Sequence, residues 1–189
     1  HSGMAKARNP TTFAKHFGVP AELLDELGVL NPTLALDTRL FVDPLLLEGS
    51  EHPEISESAV TFRRTFETAI KLLGKSDGPD DIAWRNTDRL FHFPEIPGTC
   101  IGYGGNSIHG SAFGSELRRR LITTAFEIVK LGISDPDLFL ALALFEEDIG
   151  PDRISDLTTN VVIKHILAFN ARILGKLEVA TERFMIRGH

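Results

Sequence analysis

Residues 146–156 read Glu-Glu-Asp-Ile-Gly-Pro-Asp-Arg-Ile-Ser-Asp, five acids in eleven residues, set between two apolar stretches. Carboxylates wedged into core-forming sequence cost free energy unless they reach water, a cation or a hydrogen-bond donor. Hard divalent cations such as Mg2+ and Mn2+ take such oxygens, usually two or three of them plus waters. Asp148, Asp152 and Asp156 can supply them from a loop and the helix it enters. Asp152 and Asp156 are four apart, so a helix starting at Pro151 sets both on one face. Asp43, at the end of an apolar run, is the distant candidate to complete the set. An aspartate from a strand end meeting helix-borne acids suits metal-dependent phosphodiester chemistry, in which the metal activates a water. Asp152 and Asp156 are then the expected catalytic carboxylates. Asp43, Asp148, Asp152 and Asp156 are the expected ligands of Mg2+ or Mn2+. The same acids have a plainer use. An acid in the first turn of a helix, such as Asp152, favours the positive end of its dipole by roughly 0.3–1 kcal/mol. Asp156 can pair with Arg153 or Arg120, and Asp43 can be a turn residue before Pro44. No Asp is followed closely by Glu-x-Lys and no His-Asp doublet occurs, so no defined nuclease signature is present.

A second chemistry-bearing stretch is glycine-rich, Gly98 to Gly114. Gly105 to Gly110 has the outer spacing of a phosphate-binding loop. However, Ser111 and Ala112 stand where the lysine and the hydroxyl residue of that motif belong. Nucleotide hydrolysis through this loop is therefore not expected. A weaker role survives, because glycine-rich turns that feed a helix start can offer several N–H groups to an anion. Gly102, Gly105, Asn106, Ser107, Gly110 and Ser111 are the candidates for holding a nucleotide or phosphate, with Arg118 or Arg153 as the cationic partner. His109 is the histidine in this polar stretch and the candidate general acid/base, ahead of His165, which falls within an apolar helix pattern. Cys100 abuts Ile101 and reads as a small buried side chain rather than a nucleophile.

The elements that must position these groups are mostly helical. Pro20 to Leu30, Ser56 to Leu73, Asp81 to Phe93 and Ser115 to Leu131 carry helical spacing, with Gly28, Gly74 and Gly132 as stops. Ser134-Asp135-Pro136 is a cap opening an apolar run from Leu138 to Phe145. Pro151 opens a helix reaching about Leu174, stopped at Gly175 and apolar nearly all round beyond Thr159, as expected of a central core helix. Arg39 to Val42 and Thr99 to Tyr103 read as short strands. The fold expected is a mainly α (α+β) domain around the helix at about 151–174 with a few short strands.

Composition bounds the rest. The 189 residues are 42% hydrophobic and 24% charged, ordinary for a globular chain of one domain. The net charge of −6 gives no global basic field for nucleic acid or anionic lipid. No uninterrupted apolar run approaches the roughly 20 residues of a membrane-spanning helix, so no membrane partner is expected. A single cysteine excludes an internal disulfide, which fits a cytoplasmic location. Residues 1–3 read as a purification-tag remnant and 4–189 as one domain, expected to be the N-terminal part of a longer protein.

Leu40-Phe41-Val42-Asp43-Pro44, Ile101-Gly102-Tyr103 and Ile149-Gly150-Pro151-Asp152-Arg153-Ile154-Ser155-Asp156 together resemble segments of a bacterial family of uncharacterised proteins, found near mobile or phage-defence genes. The resemblance implies a role in bacterial defence or genome maintenance and transfers no catalytic residue. Three functions are thus expected in order. The first is metal-dependent phosphodiester chemistry on nucleic acid or a nucleotide. The second is a non-catalytic domain docking a protein partner through its acidic patch. The third is nucleotide or anion sensing by the glycine-rich loop.

Overall fold

Pro53 has no backbone N–H to leave unpaired, and its fixed φ suits the first helical position, so the longest helix starts there. The computed structural model describes residues 11–34, 40–93, 114–137 and 150–182. Its elements are α1 (Phe13–Phe17), α2 (Ala21–Glu26), a 3-10 turn (Pro44–Leu46), α3 (Pro53–Gly74), α4 (Ile82–Leu90), α5 (Ser115–Lys130), α6 (Pro151–Val161) and α7 (Ile163–Lys176). Among the described residues the chain is mainly helical. The β pairing among these residues is an isolated antiparallel bridge between Thr12 and Thr33.

The hub is α3, which packs against α4, α5, α6 and α7. Phe62, Phe66, Ala69, Ile70 and Leu73 recur at helical spacing and are buried there, joined by Trp84, Phe91, Ile122, Ala125, Leu157 and Val162 from the surrounding helices. Aromatic rings tie the layers together. Phe66 lies 4.8 Å from Phe62 and 5.5 Å from Phe91, and Trp84 meets Phe126 edge-on at 5.3 Å. A second, smaller core of Ala14, Leu24, Ile173 and Leu177 seats α1 and α2 on the C-terminal half of α7. Asp81 starts α4: its Oδ1 accepts from the Trp84 amide, while Oδ2 accepts from the Asp77 amide and the Ser76 hydroxyl. These donors, that of Trp84 first, hold its carboxyl down at about 2.

Several expectations need correction. The helix expected to run unbroken from Pro151 to about Leu174 stops at Val162, where φ −103° and ψ 14° separate α6 from α7. Val161, Val162 and Ile163 are consecutive β-branched residues, which crowd the preceding helical turn. Val162, at the break, is buried in the main core. Among the described residues this pair is not the hub of the packing. Leu167 and Ala168 are exposed on α7, and α3 takes the central place.

Leu40 to Val42 form no strand. The Val42 N–H donates 2.9 Å to the Ser155 hydroxyl instead of to a neighbouring strand. Arg39 and the second expected strand, Thr99 to Tyr103, lie outside the described residues. Gly74 is the last residue of α3, as expected, whereas Gly175 lies inside α7 and Glu178 takes the left-handed position after it at φ 52°. Gly28 and Gly132 do end their helices with positive φ.

Candidate functional site

Gly150 and Pro151 open α6 without a side-chain cap, leaving its first turn to Asp152. The helix buries Ile154, Ser155, Leu157, Thr158 and Thr159. Two of those polar groups make hydrogen bonds, one within the helix and one to a distant segment. Thr158 donates to the Ile154 carbonyl at 2.7 Å, and the Ser155 oxygen accepts from Val42. Asp152 and Asp156 flank that buried face and are half-buried.

The bond to Val42 brings in the Asp43 turn. Asp43 is exposed and its Oδ1 accepts from the Leu45 amide at 2.9 Å, so the carboxylate caps its own 3-10 turn. Pro44 and Leu47 are buried on the inner side, Leu47 in the main core. The structure thus anchors the Asp43 turn to the helix that carries Asp152 and Asp156. Among the described residues, no group of three or more His, Cys, Asp or Glu side chains could hold a metal ion. Asp43, Asp152 and Asp156 therefore make no such group by themselves, and Asp148 lies outside the described residues. One turn further on, Asn160 donates to the Asp156 carbonyl at 2.9 Å, while its buried Oδ1 has no donor.

The glycine-loop candidates Gly102, Gly105, Asn106, Ser107, Gly110 and Ser111, and His109 and Cys100 with them, all lie outside the described residues. Their expected cationic partner Arg118 is described. Its Nε donates 2.7 Å to Asp88 of α4, an ion pair that joins α5 to α4. His165 shares a 2.8 Å hydrogen bond with Thr61 and so links α7 to α3.

Sequence reasoning missed a further polar cluster. Arg172 of α7 holds Glu54 at the start of α3 through two hydrogen bonds of 2.6 and 2.9 Å. The guanidinium's hydrogen bonds, ahead of its charge, pull the Glu54 carboxyl down from 4.5 to about 2. Arg172 Nη2 also approaches His52 Nδ1 at 3.4 Å, and His52 Nε2 lies 3.1 Å from the Gly28 carbonyl. A guanidinium only donates and a carbonyl only accepts, so these contacts suit the neutral ring with its hydrogen on Nε2. Phe169 backs both groups, with its ring 4.7 Å from the His52 ring and 5.8 Å from the Arg172 guanidinium carbon. The signal available in the sequence was thin: an acid in a first turn and an arginine in an apolar helix, 118 residues apart.

No helix among the described residues is long and apolar enough to cross a membrane. Comparison with curated proteins gave no match, and comparison with solved structures gave none either. One family model matches residues 18–189, leaving α1 outside the matched span. The chain belongs to the family described as Domain of unknown function (DUF8370).

Proposed function

We propose that this chain is a non-catalytic interaction module, docking a basic partner surface through the acidic face where the Asp43 turn meets α6. One observation carries the reading, the 2.9 Å bond from the Val42 amide to the Ser155 hydroxyl. It ties a turn bearing an exposed carboxylate to a helix whose Asp152 and Asp156 lie either side of Ser155. On a chain of net charge −6, a local concentration of carboxylates deepens the negative potential and steers a cationic surface toward it.

Retention on an immobilised lysine-rich peptide tests this at about 0.05 and 0.5 M salt. Wild type should be held at low salt and released at high salt. The Asp43→Asn/Asp152→Asn/Asp156→Asn variant should be held far less. The control Glu22→Gln/Asp25→Asn/Glu26→Gln, which removes equal charge from α2, should behave as wild type. Equal loss in both variants would reduce the effect to net charge and end the proposal.

A second reading is a divalent-cation site for phosphodiester chemistry, for which Asp43, Asp152 and Asp156 are not enough by themselves and further donors are needed. Thermal stability is followed against Mn2+ and Mg2+ in wild type and in Asp152→Asn/Asp156→Asn. Stabilisation that saturates in wild type and vanishes in the variant supports a cation site. No metal effect in either removes this reading.

A further inference from the structure

We infer that Leu45 and Leu46 are the apolar anchors of this surface, and that the partner is an amphipathic protein segment with an apolar ridge flanked by lysine or arginine. This inference rests on the docking reading above and names the chemistry of its partner.

The two leucines are 62% and 70% exposed, and Leu40, earlier in the same segment, is 45% exposed. They are not the loose tips of a loop. Asp43 caps the turn through the Leu45 amide, and the Leu46 amide donates to the Asp43 carbonyl at 3.1 Å. The Ser50 amide donates to the Leu47 carbonyl at 3.2 Å and closes the following turn. Val42, Pro44 and Leu47 face inward, and the Val42 amide is fixed to α6. The fold therefore holds two large apolar side chains in water on a backbone pinned at both ends. Preorganised apolar groups lose little conformational freedom on binding.

The charge around them selects the partner. Asp43, Glu48 and Glu51 are exposed. No lysine or arginine occurs between Leu40 and Pro53, and the nearest along the chain is Arg39. An acidic rim repels an anionic bilayer and a nucleic-acid backbone but complements a basic one.

The probe is a fluorescein-labelled synthetic helix of alternating leucine and lysine clusters, with binding to the whole chain read by anisotropy at low and at physiological salt. Wild type should bind. Leu45→Ser/Leu46→Ser should weaken binding by about tenfold or more at both salts, since it removes exposed anchors without touching the core. Asp43→Asn/Glu48→Gln keeps the turn cap, because asparagine also accepts, and should weaken binding mainly at low salt. If the serine pair binds as wild type while the acid pair does not, the leucine anchors fail and the acidic docking reading stands. If neither variant changes binding, or wild type does not bind, both fail. A leucine–glutamate helix bound as tightly as the lysine one would overturn the assignment of a basic partner.

Discussion

Arg172 grips Glu54 through both carboxylate oxygens, Nε to Oε1 at 2.6 Å and Nη2 to Oε2 at 2.9 Å, joining the last described helix to the first turn of the hub helix. A two-pronged contact fixes direction as well as distance. It sets α7 against α3 at the point where His52 also reaches the Gly28 carbonyl. The N-terminal helix pair, packed on α7 through Ile173 and Leu177, is thereby keyed to the main bundle.

Acid should weaken this arrangement over a defined range. The folded protein holds Glu54 at about 2 against its ordinary 4.5. A carboxylate whose folded pKa is lowered contributes stability above the unfolded value and loses it as pH falls through the folded value. The stability of the wild type, followed by chemical denaturation, should fall between pH 4.5 and about 2. Glu54→Gln should be less stable at neutral pH and show a shallower fall in that window. A residual slope belongs to Asp81, held at about 2 by its amide and hydroxyl donors, and to Glu116, held down by its hydrogen bonds from Arg119. Superimposable slopes in the two proteins would show that the pair adds nothing to acid sensitivity.

Removing the Ser155 hydroxyl should loosen the Asp43 turn before anything else. Ser155→Ala leaves the Val42 N–H without its acceptor, at a cost of about 1–2 kcal/mol. Hydrogen exchange at the Val42 amide should speed up sharply while exchange deep in α3 follows global stability. Unchanged protection at Val42 would mean that packing alone holds the turn.

Much of the fold was legible in the sequence because its signals are local. Helical spacing of Phe62, Phe66, Ile70 and Leu73 marked α3, and Gly28 and Gly132 marked two helix ends through their left-handed backbone. Pro151 and Asp152 marked the start of α6. The misreadings arose where tertiary contacts decide. An apolar run before Asp43 looks like a strand, but nothing in the run says that the partner of Val42 is a serine 113 residues away. The β-branched run at 161–163 was visible, yet its effect on helix direction depends on where Val162 is buried. The candidate site was legible only in its carboxylates. The bond that ties Asp43 to α6, and the exposure of Leu45 and Leu46 beside it, are products of folding.

The two faces of the molecule should respond very differently to truncation. Phe66 is buried in the hub, in contact with Phe62 and Phe91, so Phe66→Ala should cost about 3–5 kcal/mol. Leu45→Ala removes an exposed side chain and should change stability by less than about 0.5 kcal/mol. Thermal or urea unfolding of the two variants checks this directly. A loss at Leu45 comparable with that at Phe66 would mean that the turn leucines are structural rather than held out for a partner.

Two positions with positive φ should respond in opposite directions to exchange of glycine and a larger residue. Gly28 ends α2 at φ 65°, and a Cβ there would sit 3.6 Å from the His52 ring, an ordinary contact. Space is therefore not the objection to a side chain; the left-handed backbone is. Gly28→Ala should lose about 1–2 kcal/mol, and Gly28→Asn should lose less because asparagine tolerates that region. Glu178 already occupies the left-handed region at φ 52°, at the end of α7, where the Val179 amide bonds the Leu174 carbonyl at 3.1 Å. Helices commonly end on glycine at that position. Glu178→Gly should therefore gain up to about 1 kcal/mol, the relief of strain exceeding the extra freedom glycine has in the unfolded chain. Urea denaturation of the three variants gives the signs. A destabilised Glu178→Gly would mean that the glutamate makes an interaction worth more than its backbone strain.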